Sequence, residues 1–138
     1  MAADAEAIVR SFYDATVPGH RERVYSVQDA HIIYELPDGM PTGGGRFKGI
    51  QDVRERFLPG FYGILDVHVA VEDFITSGER VVAIGRLQGK TRKGAIPIDV
   101  PFVHVWTVWN DRLQRLRFFT DTAILKRAID EGLGSISK

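Results

Sequence analysis

"VPFVHVWTVWNDRLQRLRFFTD" runs from Val100 to Asp121, and its reading decides the architecture. β-branched and aromatic residues dominate it, as suits pleated, half-buried segments. Asn110-Asp111 interrupts them with a turn signal, so the stretch reads as a hairpin of two strands. In the first strand, Phe102, His104, Trp106 and Val108 share one face by alternation. In the second, Arg117, Phe119 and Asp121 share one face, and Leu116, Phe118 and Thr120 the other. Leu113 and Leu116 are three apart, which breaks strict alternation; a bulge between them restores it. Counting outward from the turn sets His104 roughly opposite Arg117, with Phe119 and Asp121 further along.

Upstream of the hairpin the pattern is again strand-like. Val67, Val69 and Val71 alternate with His68, Ala70 and Glu72. "SGE" (Ser77–Glu79) turns the chain, and "RVVAIGRLQGKT" (Arg80–Thr91) is a further strand. Before these lie Ile50, Val53, Phe57 and Leu58, which predict a helix stopped by Pro59. "PDGMPTGGGRFKG" (Pro37–Gly49) is a loop by composition, and loops of that length often serve as lids or binding loops. "HIIYELP" (His31–Pro37) reads as a strand. Ile8, Val9, Phe12 and Thr16 recur at helical spacing behind the capping residue Asp4, and a short helix over His20–Val27 follows. A last helix carries Ile124, Leu125, Ala128 and Ile129. Helices and antiparallel strands are thus segregated. That is an α+β chain, with a curved antiparallel or mixed sheet wrapped around N-terminal helices, cone-shaped, with an internal pocket of the kind small molecules favour.

The chain has 138 residues, enough for one domain (core about 5–130, with 131–138 a frayed tail). Eighteen basic side chains balance eighteen acidic ones. That balance argues against nucleic acid or an anionic membrane as a partner, while a local patch can still hide in a neutral total. Cysteine is absent, which removes disulfides and thiolate chemistry. Neither a signal peptide nor a membrane-spanning apolar run is visible, so the cytoplasm is the expected location. His20, His31, His68 and His104 lack metal-ligand spacing, and no metal or cofactor is expected. "GKT" (Gly89–Thr91) is not a phosphate loop: Ile84 stands where that motif needs glycine.

Two groups remain as candidates for chemistry. A carboxylate held among phenylalanines has its charged form disfavoured, and an imidazole titrates near neutrality; either suits general acid–base work. Asp121 and His104 are therefore the catalytic candidates. For each a plain structural role competes: a core histidine with one satisfied bond, and a carboxylate capping the helix that follows it. Phe12, Tyr34, Phe102, Trp106, Arg117 and Phe119 would line the site. Arg86 and Gln88 share a strand face that Tyr34 could join, and a solvated edge is the competing reading there.

The element order, "FKGIQDVRERF" (Phe47–Phe57) and "VPFVHVWTVWNDRLQRLRFFTDTAIL" (Val100–Leu125) resemble the SnoaL-like branch of the nuclear-transport-factor-2-like superfamily. That group includes polyketide cyclases, ketosteroid isomerase, limonene epoxide hydrolase and scytalone dehydratase. The resemblance extends from about Ala5 to Ile129. It implies a homodimer and a cofactor-independent acid–base enzyme, cyclase-, isomerase- or dehydratase-like, acting on a small, largely apolar carbonyl or enol ligand. Asp121 matches the cyclases' acid/base aspartate, and His104 their pocket histidine. The isomerase positions correspond to Phe12, Leu36 and His104, with Tyr13 and Asp38 close by but out of register. Arg86, Gln88 and Asp121 resemble the epoxide-hydrolase set, with Gln88 where a carboxylate belongs. A non-catalytic binding or dimerisation module of the same fold is the alternative, because fold does not fix function.

Overall fold

The computed structural model describes residues 4–15 and 25–137, and for 135–137 the backbone alone. Helix α1 (Ala5–Ala15) begins where expected: the Asp4 carboxylate accepts the Glu6 N–H at 3.0 Å. Its apolar stripe buries Ile8 and Val9. The short helix expected over His20–Val27 falls largely outside the described residues.

Strand β1 (Gln28–Leu36) follows, then β2 (Gly45–Lys48). The second half of the expected Pro37–Gly49 loop is therefore a strand, paired antiparallel with β1. Its glycine-rich composition disguised a segment of four residues. Met40 anchors the remaining loop, being 4% exposed.

Residues 50–64 form one helical run, α2, and here the sequence reading needs correction. Pro59 does not stop the helix; helical structure continues to Ile64. The reason is a π-helical turn over Val53–Phe57, in which the Leu58 N–H bonds back to the Val53 carbonyl. That widened turn lies directly before the proline, whose ring and missing N–H are incompatible with regular i to i−4 bonding.

Strands β3 (Leu65–Ser77), β4 (Arg80–Thr91), β5 (Pro97–Trp109) and β6 (Arg112–Thr120) then form a meander, closed by helix α3 (Thr122–Ser137). The sheet is open and six-stranded, ordered β2-β1-β6-β5-β4-β3. The β1–β6 pairing is parallel and the other pairings are antiparallel.

The β5–β6 hairpin carries the expected bulge. Thr107 pairs with Arg115 but Val108 with Leu113, so Gln114 is the extra residue. Asn110 and Asp111 both take positive φ (54° and 57°), the backbone of a two-residue hairpin turn. The inner face of the sheet carries Val81, Leu87, Val100, Phe102, Trp106, Leu113, Leu116 and Phe118, all nearly inaccessible. Burying each such side chain stabilises by about 2–3 kcal/mol. Leu125 and Ala128 of α3 join that core, and Gly132 of α3 lies against the Lys93–Gly94 backbone.

Candidate functional site

Helix α1 and strand β5 meet over a polar cluster set in aromatic walls. Tyr13 is the meeting point. It lies four residues after the fully buried Val9 and so shares its side of α1. Its hydroxyl oxygen accepts the Trp106 indole N–H at 2.8 Å and lies 2.6 Å from His104 Nδ1. An N–H donor bonded to oxygen rarely comes so close, whereas an O–H donor does. We assign the Tyr13 hydroxyl as the donor to Nδ1, the arrangement that goes with the Nε2–H tautomer of the ring. In a neutral imidazole that leaves the proton of the other nitrogen on Nε2.

Burial supports that protonation state. His104 is 4% exposed, and desolvation pushes its pKa down to about 3, so the ring is neutral near pH 7. Desolvation also pushes the Tyr13 phenol well above its ordinary value, against a smaller opposing effect of the Trp106 bond. His104 Nε2 is buried and has no hydrogen-bond partner among the described residues. An unmet buried donor costs about 1–3 kcal/mol.

Rings surround it. Phe102 and Phe118 stand 4.5 Å from the imidazole centroid, Trp106 stands 5.9 Å away, and Tyr13 lies nearly parallel at 5.9 Å. Phe12 packs on Trp106 at 4.8 Å. Tyr34 lies edge-on to Trp106 at 6.2 Å, its hydroxyl donating to Gln28 at 2.6 Å. Of the residues expected in the site, His104, Phe12, Tyr34, Phe102 and Trp106 therefore come together.

The others do not join them. Asp121 Oδ1 accepts the Ile124 N–H at 3.0 Å, so the carboxylate caps α3. The expected meeting of Asp121 with His104 is absent from the hydrogen bonds and ion pairs of the described residues. His104 lies opposite Phe118, and Arg117 opposite Val105. The bulged residue shifts the pairing by one and sends Arg117 and Phe119 to the outer face of the sheet, both exposed. Arg86 and Gln88 are also outer, on the face of Val82 and Ile84, because Val81, Ala83 and Leu87 are the buried set. Arg86 Nε bonds Asp99 Oδ1 at 2.5 Å, which lowers the Asp99 pKa.

Tyr13 was set aside as out of register by the sequence reading, and Phe118 and Gln28 were not assigned to the site. The four-residue step from Val9 was the available signal for Tyr13, and the bulge for Phe118. For Gln28, lying before the apolar run of its strand, the sequence offers none. A cleft of about 270 Å³ between α1 and β3 is lined by Arg10, Tyr13, Asp14, Val69, Val71 and Phe74. It reaches Tyr13 but not His104, whose surroundings are packed with rings rather than open as the sequence suggested. A more open depression of about 680 Å³ runs along α3 past Ala123, Lys126 and Asp130. No group of three or more metal-ligating side chains occurs among the described residues. No helix among them is long and apolar enough to cross a membrane.

Residues 9–116 match the family model of the SnoaL-like domain. This chain belongs to the SnoaL-like family. Among solved structures of similar fold, an NTF2-like protein of unknown function from Burkholderia pseudomallei shares 29% identity at a TM-score of 0.84. That match covers 92% of this chain and 98% of the other. TerC, co-crystallised with polyporic acid, shares 23% identity at a TM-score of 0.81, with 91% and 98% covered. A candidate SnoaL-like polyketide cyclase from Jannaschia sp. shares 21% at 0.75, with 91% and 90% covered. Comparison with curated proteins gives no match. The SnoaL-like fold brings Tyr13, His104 and Trp106 together.

Proposed function

We propose that this SnoaL-like protein is a cofactor-independent acid–base enzyme for a small, largely apolar carbonyl or enol compound. One observation carries the reading: the buried, unpartnered Nε2 of His104, made a donor by the Tyr13 bond to Nδ1. A donor in an aromatic wall calls for an acceptor oxygen on an otherwise apolar ligand. Both Tyr13 and His104 resist ionisation, so the pair acts by holding a developing oxyanion rather than by surrendering a proton outright. Trp106 polarises the Tyr13 hydroxyl from behind. The base role expected for Asp121 passes, in this reading, to Asp14, which lines the cleft beside Tyr13. In this reading the rings packed around His104 part to admit the carbonyl oxygen to Nε2, and a proton leaving the neighbouring carbon goes to the Asp14 carboxylate at the cleft.

The non-catalytic binding module is the second reading, favoured by the capping role of Asp121 and the dense ring packing at His104. One experiment separates them. ¹⁵N-labelled protein is titrated with aromatic enol and enone compounds, beginning with polyporic acid because a structure of this fold was co-crystallised with it. Binding should move the His104 Nε2 resonance and be lost in His104→Phe. Deuterium uptake at the carbon next to the carbonyl, read on those enones that carry hydrogen there, then marks the enzyme, and their binding without uptake marks the module; polyporic acid, which has no such hydrogen, reports binding alone. Ligand binding that is indifferent to His104→Phe overturns the enzyme reading and leaves the module.

A further inference from the structure

Far from the aromatic cluster, on the outer face of the sheet at its β2 edge, three arginines converge on one carboxylate. Glu35 of β1 faces Arg46 of β2 on one side and Arg117 of β6 on the other. Arg115 Nη2 lies 2.6 Å from Glu35 Oε1, Arg46 Nε 3.4 Å from the same oxygen, and Arg117 Nε 3.7 Å from Oε2. The Glu35 side chain is only 19% exposed, while those of Arg46, Arg115 and Arg117 are 60%, 43% and 51% exposed.

One negative charge among three guanidinium groups leaves two positive charges unmatched. Lys48, two residues beyond Arg46 on β2, adds a cation on the same face by alternation. The neighbouring-strand pairs, Glu35 with Arg46 and Glu35 with Arg117, are each of opposite charge, but one carboxylate serves both, so the guanidinium charge is only partly matched. The Arg115 Nε is buried with no hydrogen-bond partner among the described residues, a further unmet donor in the same cluster. A second, multiply charged anion offsets the unmatched positive charge of the exposed guanidinium groups. Arginine's planar fork is matched to oxyanions, and two unmatched guanidinium groups match a dianion better than a single carboxylate. Beside the cluster, Arg117 lies over the Phe119 ring at 5.3 Å, and Phe119 is 43% exposed. Val103 and Val105 share that outer face, so an apolar surface adjoins the charges.

We propose that Arg46, Arg115 and Arg117 form a binding site for a phosphate group, either free phosphate or the phosphate of a monoester with an apolar portion. The site is independent of the Tyr13–His104 cluster and does not rest on the reading given for it. Glu35 orients the guanidinium groups and, by competing for them, moderates the affinity.

Isothermal titration of the whole chain with inorganic phosphate and with phenyl phosphate, at low ionic strength, tests this. Saturable one-site binding is expected, weakened about tenfold or more in Arg117→Gln and in Arg46→Gln, because each removes a charge-assisted bond. Glu35→Gln should strengthen binding by removing the competitor. Tighter binding of phenyl phosphate, with the difference lost in Phe119→Ala, identifies an apolar monoester as the ligand; equal affinity identifies free phosphate. Arg46, Arg117 and Phe119 are at the surface and Glu35 is half-buried, and circular dichroism confirms that each variant is folded. Three results overturn the site: no saturable binding, binding unaffected by either arginine substitution, or sedimentation showing a dimer whose formation excludes phosphate. The last would mean that a second copy of the chain meets the cluster instead.

Discussion

The Tyr13 hydroxyl and His104 Nδ1 are 2.6 Å apart, with the two rings within 10° of parallel, although 91 positions separate them in sequence. First helix and fifth strand are thereby joined at a single oxygen, which also receives the Trp106 N–H. Tyr13→Phe removes that oxygen and strands two buried polar nitrogens. The variant should lose about 2–4 kcal/mol, on the order of 1–3 kcal/mol per unmet buried group, partly offset by relaxation. Urea denaturation measures the loss, and ¹⁵N spectra should show that the His104 tautomer is no longer fixed.

The depressed His104 pKa has a pH signature. Its folded-state value of about 3 lies below the ordinary 6.5, so the unfolded chain binds the extra proton between those two values. The neutral ring's contribution is fully present above pH 6.5 and is lost as pH falls toward 3. At pH 5 the loss amounts to about 2 kcal/mol. Denaturation of wild type and His104→Phe across pH 4–8 checks this: the slope between pH 6.5 and 4 should flatten in the variant. In the wild type, the His104 ring resonances should not titrate between pH 8 and 5.

Asp121 separates capping from catalysis. Asp121→Ala removes the bond to the Ile124 N–H and should cost about 1 kcal/mol, whereas Asp121→Asn, itself a good cap, should cost much less. The asparagine variant should also keep any turnover found in the proton-exchange assay. Turnover abolished in a fully stable Asp121→Asn protein would restore Asp121 to the chemistry.

Gly132 lets α3 approach the turn after β4. A Cβ there would meet the Lys93 carbonyl oxygen at 2.1 Å and Thr91 Oγ1 at 3.1 Å. Backbone cannot step aside as a flexible side chain would. Gly132→Ala should therefore destabilise by about 1–3 kcal/mol or more through overpacking. Amide hydrogen exchange should show the loss of protection concentrated in α3.

The hairpin of β5 and β6 shows how far the sequence could be read. Alternation identified the buried faces of Phe102, His104 and Trp106, and the Leu113–Leu116 spacing revealed the bulge. The same bulge adds one residue to the count, and counting past it without that residue placed Arg117, not Phe118, opposite His104. Every residue assigned from that register then fell on the wrong face. Alternation also fails at Asp121, because helical geometry begins at Thr122. On β4, Val82 and Ile84 looked as fit for the interior as Val81 and Ala83. When both faces of a strand are apolar, its own composition cannot tell them apart, and the neighbouring layers decide.

The parallel pairing of β1 with β6 has a consequence for the order of assembly. Strands β3 to β6 are joined by short turns and can find one another locally as soon as they exist. Of the earlier strands, β2 pairs with β1, and β1 joins the meander only through β6, the last strand to leave the ribosome. The N-terminal third of a nascent chain must therefore wait, its apolar strand exposed, for a template about eighty residues downstream, and long-range closures of that kind are slow. Newly made protein should be most open to aggregation during that interval.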